Sequence, residues 1–279
     1  MKRLEWELAG LEGVKLFVRE WKPEKEQPPA ERGVVCLLHG MGEHGDRYAH
    51  VAARLTAEGF AVLAMDQQGH GRTAGSRGYM PSIETTVSYV GKLLDAASER
   101  YPGLPRYLYG HSMGGNVILN AALRLKPDIQ GVIATSPWLR LAFSPPAVQL
   151  WAGRIIARVA PGLPQSTGLK PEQLYRPGYP HVSPIEGDPL NHTRITVKTF
   201  LEIQAAGEWA LAHIQELNIP LLLLHGSADQ VTSYAASAAA AEKLGDRCRF
   251  ISWDGGFHEL HNDIDAELVI DSIIEWLKR

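Results

Sequence analysis

The stretch that most constrains this chain is Gly110-His111-Ser112-Met113-Gly114-Gly115. It lies between an aromatic, apolar run (Tyr107-Leu108-Tyr109) and a helix-forming run over 116–123. That pattern predicts a short buried strand followed at once by a helix. A strand that turns directly into a helix must hold its turn residue in a strained conformation. Glycines two positions to either side of Ser112 leave room for the backbone to pass. The serine hydroxyl is thereby lifted clear of the sheet at a helix N-terminus, where backbone N–H groups and the helix dipole favour developing negative charge. Ser112 is the candidate nucleophile. A chance glycine-rich turn would need neither the strand before it nor the helix after it.

The rest of the chain repeats the same unit. The continuous apolar run at 33–38 reads as a strand covered on both faces, and 60–65, 131–135 and 221–226 read as further strands. Residues 14–21 alternate as a half-buried strand does, and 248–253 reads as a further strand. Helical patterns fall at 47–58, 83–99, 195–214, 234–244 and 266–278, and Gly59 stops the first of them. Strand, loop, helix, strand in this order predicts an α/β fold, a mostly parallel sheet with helices on both faces. Right-handed crossovers then bring the loops to one edge, at the carboxyl ends of the strands, where sites form. Within 279 residues this is one large core with an insertion. The rhythm breaks over 137–192, where prolines are frequent and the strand pattern vanishes. That segment reads as a cap inserted into a core made of 1–136 and 193–279. Inside it, Val148, Trp151, Ile155 and Val159 fall on one face of an amphipathic stretch, with Arg154 and Arg158 on another.

Charge and cysteine usage narrow the class. A formal net charge of −3 gives no electrostatic reason to expect nucleic acid. Cys36 and Cys248 sit in apolar runs and read as reduced core residues. No run is long and apolar enough to span a bilayer, and 1–7 does not read as a signal peptide. A cytoplasmic protein is expected.

A serine nucleophile needs a base, an acid to orient the base, and oxyanion donors. Asp229 is the best-placed acid, because Gly226-Ser227-Ala228-Asp229 directly follows a buried strand; a turn or cap aspartate is the plainer alternative. His258 follows the last strand and the turn Asp254-Gly255-Gly256, and it completes the chain order Ser, Asp, His. His261 is its main rival. The pair is not at the H-E-x-x-H zinc spacing, so no metal is expected. His39, His111 and His225 adjoin strand ends and read as structural hydrogen-bonding residues. His70 sits in a glycine-rich turn, and His44, His50, His181, His192 and His213 have no such context.

These motifs together resemble the α/β-hydrolase fold, and within it the monoacylglycerol lipase and lysophospholipase-like branch, often described as serine aminopeptidase-like hydrolases. Its first loop, H-G-x-G-E-H, matches His39-Gly40-Met41-Gly42-Glu43-His44, with Arg47-Tyr48 following. D-x-x-G-H-G matches 66–71, Asp-Pro-Leu matches 188–190, G-x-x-D matches 226–229 and H-E-L matches 258–260. The likeness spans nearly the whole chain and is weakest over 139–187. Gln68 stands where the family often has arginine, a departure that bears on loop pairing rather than on the triad. The resemblance implies Ser112 as nucleophile, Asp229 and His258 as its relay, and the backbone N–H groups of Met41 and Met113 as the oxyanion hole. No cofactor is implied, since acyl transfer to serine and then to water uses protein groups alone.

Substrate is read from the cap. Trp138, Phe143, Leu150 and Trp151 could line an acyl tunnel or touch a lipid interface, or simply pack on the core. A hydrophobic cap over a serine site points to a monoacyl ester as the small-molecule substrate. The alternatives are a general short-chain carboxylesterase, an aminopeptidase, or a silent member of the fold that binds a ligand. An aminopeptidase would favour an acidic cluster at the pocket, and none is evident in the sequence. Oligomeric state leaves no mark.

Overall fold

The computed structural model describes residues 1–24, 31–144, 153, 155–177 and 187–279. Its centre is an eight-stranded sheet in the order β1-β2-β4-β3-β5-β6-β9-β10. These are β1 (Lys2–Ala9), β2 (Lys15–Lys22), β3 (Gly33–Leu38), β4 (Phe60–Met65), β5 (Arg106–His111), β6 (Gly131–Thr135), β9 (Leu221–Gly226) and β10 (Cys248–Trp253). From β4 to β10 every neighbouring pair is parallel, and β2 joins both β1 and β4 antiparallel. The continuous apolar runs became the central strands: every residue of β3, β4, β6 and β9 is buried.

Alternation along these strands divides the core in two. Val34, Cys36 and Leu38 of β3 point into one cluster, and Val35 and Leu37 into the other. The first is covered by α2 (Ile83–Arg100), α3 (Met113–Leu125), α5 (Val197–His213) and α6 (Tyr234–Leu244), through residues such as Val90, Val117, Ile203 and Ala240. The second is covered by α1 (Ala49–Ala57) and α7 (Ala266–Leu277), through Val51, Leu55, Val269 and Ile273. Burial of two such faces is the main stabilising term for a sheet of this kind.

Four elements lie beyond the sequence reading. β1 pairs with β2 over its whole length at the sheet edge. Its Leu4, Trp6 and Leu8 alternate with Arg3, Glu5 and Glu7, a half-buried pattern that the density of charge obscures. The segment before α5 is not strand-free: β7 (Pro164–Ser166) and β8 (Arg194–Thr196) form a two-stranded antiparallel ribbon, with the one-turn α4 (Pro171–Leu174) between them. Three-residue strands, one opening on proline, are too short to show a period. The expected amphipathic face is only partly visible, because Val148, Leu150 and Trp151 lie outside the described residues. Ile155 and Val159 are helical and exposed at 45% and 78%, rather than packed on the core.

The parallel register sends six chain segments out at one edge. His39 follows β3, Asp66 follows β4, Ser112 follows β5, Ser136 follows β6, Asp229 follows β9 and His258 follows β10.

Candidate active site

Ser112 stands between β5 and α3 with φ 53° and ψ −116°, a positive φ that few side-chain-bearing residues adopt. The glycines around it are there for space. A Cβ at Gly110 would lie 2.4 Å from Gly114 O, and one at Gly114 would lie 2.2 Å from Leu38 O. The start of α3 therefore packs directly on the end of β3, which a side chain would prevent. The first helical hydrogen bond of α3 runs from Asn116 N to Ser112 O, so the amide of Met113 lies ahead of the helix ladder.

Two loops complete the surroundings of the serine. His258 Nδ1–H donates to Asp229 Oδ2 at 2.8 Å, and His258 Nε2 lies 2.9 Å from Ser112 Oγ. Asp229 Oδ1 accepts the N–H groups of Val231 and Thr232, and Oδ2 also accepts the Thr232 hydroxyl at 2.9 Å. All three side chains are buried. Burial alone would push the Asp229 carboxyl up. The His258 charge, and hydrogen bonds from His225 and His258, hold it far below the usual carboxylate range instead. Burial likewise opposes a charged His258, yet the adjacent Asp229 charge outweighs it and raises the His258 pKa above the ordinary value. The chain Ser112–His258–Asp229 can thus take a proton from Oγ onto an imidazole whose charged form is already provided for.

The rival histidine is built differently. His261 stacks on Tyr48 with ring centroids 4.7 Å apart, and neither of its ring nitrogens has a hydrogen-bond partner among the described residues. Burial, with His111, His50 and Arg47 around it, drives its pKa well below the ordinary value. It is an aromatic packing element beside the site.

The loop 39–44 lies against the serine. A Cβ on Gly40 would come within 3.3 Å of Ser112 Cβ. Met41 lines the cavity, and its Sδ lies 3.4 Å from His70 Nε2. The loop is shaped by polar groups behind it. Gly40 N–H and Tyr48 O–H both donate to Glu43 Oε1, and Arg47 donates to Glu43 Oε2 at 2.7 Å. Arg47 also forks onto Glu259, at 3.1 and 2.8 Å. Glu259 N–H in turn donates to Leu174 O of α4 at 2.8 Å. His44 Nε2–H donates to Asp188 Oδ2 at 2.8 Å, which uses the Asp-Pro-Leu motif to tie the returning chain to the first loop. Arg47 and Glu259 were not singled out in the sequence as a pair, and only the adjacency of Glu259 to His258 could have drawn attention to it.

The two loop motifs left open above have plain structural duties. Asp66 accepts hydrogen bonds from Arg19, Gly45 N and Arg72 N, so β2 supplies the arginine for this turn. Gln68 accepts a hydrogen bond from Tyr89 O–H at 3.4 Å. His39 donates from Nδ1 to Gly40 O, accepts Gln67 N–H on Nε2, and is fully buried.

Ser112 and His258 open onto a cavity of about 250 Å³. Its lining includes apolar Trp138, Leu141, Phe143, Leu169, Phe200 and Val231. It also includes charged Glu43, Arg47 and Glu259. Trp138 and Phe143 therefore both reach the cavity, Trp138 nearly buried and Phe143 54% exposed. Leu150 and Trp151 lie outside the described residues.

The family model for serine aminopeptidase, S33, matches residues 29–265. The chain belongs to the serine aminopeptidase S33 family. It is similar to a protein named monoacylglycerol lipase from Mycolicibacterium smegmatis, 28% identical over 99% of this chain and 97% of that one. Human monoglyceride lipase is 28% identical over 92% of this chain and 84% of its own length. Among solved structures, the monoacylglycerol lipase of Paleococcus ferrophilus superposes with a TM-score of 0.82 at 31% identity, covering 94% of this chain and 98% of that one. The S33 chain has the α/β-hydrolase fold and is a serine ester hydrolase. No helix among the described residues is long and apolar enough to cross a membrane.

Proposed function

We propose that this enzyme hydrolyses monoacyl esters of a polar alcohol, with Ser112 as nucleophile, His258 as base and Asp229 orienting it. The observation that carries the reading is the unbroken hydrogen-bond chain Asp229–His258–Ser112 opening onto a largely apolar cavity that also holds Glu43, Arg47 and Glu259. Ser112 Oγ attacks the ester carbonyl while its proton passes to His258 Nε2. The oxyanion so formed is held by the backbone N–H groups of Met41 and Met113. Collapse breaks the C–O bond, and His258 returns the proton to the departing alcohol. Water then attacks the acyl-serine by the same route, releasing the fatty acid and restoring Ser112. The names of the relatives support an acylglycerol as the ester.

In this reading residues 137–192 form a cap over the core. Trp138, Phe143, Leu150 and Trp151 guide the acyl chain, and exposed Phe143, Ile155 and Val159 can meet a lipid surface. Unpaired Cys36 and Cys248 agree with a cytoplasmic setting. The polar lining residues take the alcohol. Glu43 and Glu259 are the acidic pair that the sequence did not reveal, but both are spent on Arg47, which disfavours an amino-terminal ammonium there.

The test is a rate profile across esters graded by acyl length and head group, with a triacylglycerol and an aminoacyl amide included. Each methylene buried is worth roughly 0.8 kcal/mol, so kcat/KM should climb a few-fold per carbon and stop where the tunnel ends. A profile favouring acetyl and propionyl esters over all longer chains leaves a short-chain carboxylesterase instead. Fastest turnover of the amide restores the aminopeptidase.

A further inference from the structure

Asp229 is shared by two imidazoles. Besides His258, His225 Nε2 lies 3.1 Å from the same Oδ2. The other neighbours of His225 Nε2 are Thr232 O at 3.3 Å and Thr232 Oγ1 at 3.4 Å. A carboxylate and a carbonyl oxygen only accept, so Nε2 carries the hydrogen, which is shared between the Thr232 carbonyl and the Asp229 carboxylate. Nδ1 of the same ring faces Ser237 Oγ at 2.7 Å and can take that hydroxyl proton. Ser237–His225–Asp229 thus repeats the composition of Ser112–His258–Asp229 with the ring turned end for end, and the two chains meet on one oxygen. His225 and Ser237 have no exposed surface, so the second chain has no route to substrate.

The scaffold fixes this second chain firmly. His225 is part of β9, Ser237 stands in α6, and the Tyr234 ring packs edge-on to the imidazole at 5.9 Å and 84°. Asp229, in contrast, sits on a loop. Its Oδ1 is anchored by two backbone N–H groups and its Oδ2 accepts the Thr232 hydroxyl, while Oδ2 must also stay aimed at a histidine from a different loop.

We propose that His225, backed by Ser237, is a positioning residue whose Nε2–H holds the Asp229 carboxylate in place to receive His258 Nδ1–H. This rests on the triad assignment given under Proposed function. It goes beyond that assignment by naming a residue that acts on the reaction only through Asp229 and His258. The hydrogen bond from His225 also helps to keep Asp229 ionised against the effect of its burial.

Two substitutions separate the donor from the bulk. His225→Gln keeps an N–H near the carboxylate, and His225→Leu removes it. Each variant is compared with wild type in steady-state kinetics on a monoacyl ester. The proton NMR signal of His258 Nδ1–H, assigned by its loss in His258→Ala, is followed in parallel. A hydrogen bond to a charged group is worth enough that His225→Leu should lose about 10- to 100-fold in kcat with KM little changed, and its proton signal should move. His225→Gln should stay within about threefold of wild type with the signal in place. Ser237→Ala should fall between them. The proposal is overturned if His225→Leu keeps wild-type kcat and an unmoved signal, or if Gln and Leu lose equally. Should His225→Leu not fold, Ser237→Ala with wild-type kcat and an unmoved signal overturns it. Labelling with a fluorophosphonate separates the two readings. A wild type not labelled on Ser112 removes the triad assignment, whereas a labelled wild type with an indifferent His225→Leu removes only the role of His225.

Discussion

Arg47 Nη2 donates to Glu259 Oε2 at 2.8 Å, across 212 residues of sequence, so the residue next to His258 is tied to the chain that follows the Met41 loop. Arg47 reaches Glu43 with its other amino group, and Glu43 in turn receives the Gly40 N–H. One guanidinium therefore sets the spacing between the loop that approaches Ser112 and the loop that carries His258, the proposed base.

Removing that guanidinium should be costly and should depend on pH. Arg47→Met leaves two buried carboxylates facing each other, which is expected to cost about 3–5 kcal/mol near neutrality. Burial pushes the Glu43 carboxyl up, but the charge of Arg47 brings it below the usual range. A depressed pKa contributes stability above the unfolded value, which is lost as pH falls through the folded one. The gap between wild type and variant should therefore narrow below about pH 4.5. Urea unfolding at pH 7 and pH 4 measures it, and a gap equal at both would show that Glu43 is not what Arg47 serves.

Ser112→Ala should lower the rate by about 10⁴-fold or more, and His258→Ala should approach it, while His261→Ala keeps most activity. The Ser112/His258 double variant should be no slower than the worse single one. Steady-state rates, with intact mass after fluorophosphonate treatment, decide this; an adduct of equal yield on Ser112→Ala would remove Ser112 from the mechanism.

The acid limb of kcat/KM should lie above the ordinary histidine value of about 6.5, because Asp229 raises the His258 pKa and only unprotonated His258 can accept the serine proton. Asp229→Asn should depress activity and draw whatever limb remains toward lower pH. A pH profile of both enzymes is the check, and an unmoved limb would assign it to another group.

Gly114→Ala tests the contact between β3 and α3. The added Cβ would lie 2.2 Å from Leu38 O and 2.5 Å from His39 O, so the helix start must withdraw and carry the Met113 amide with it. Loss of one oxyanion donor lowers kcat by about 10²–10³-fold. Circular dichroism should show a folded protein with kcat reduced to this degree and a smaller change in KM; wild-type kcat would mean that the Met113 amide is not used.

What could be read in advance followed from local pattern. β3 and β4 are unbroken apolar runs and β9 nearly so, and Ser112, Asp229 and His258 each come shortly after a strand, so the strand pattern brings them to one edge. β1 was hidden because Arg3, Glu5 and Glu7 outweigh Leu4, Trp6 and Leu8 in any count of charge. The Arg47–Glu259 pair was hidden for a different reason. Charged residues belong at the surface by default, and only the fold shows that these two meet in the interior. His225 was read as a structural hydrogen-bonding residue, which it is, but its partner being Asp229 depends on a loop geometry that no spacing rule conveys. The ribbon of β7 and β8 joins segments too short to carry a period.

β6 and β9 lie side by side in the sheet, although the chain between them passes through residues 137–192. Ser112 is 146 residues from His258, which is only 29 from Asp229. In the proposed mechanism a cut within 137–192 would thus leave the attacking oxygen in one piece and both members of its relay in the other. Neither fragment could turn over substrate by itself. Activity recovered on mixing them would report directly on the docking of β6 against β9, which makes this enzyme a reporter of its own assembly.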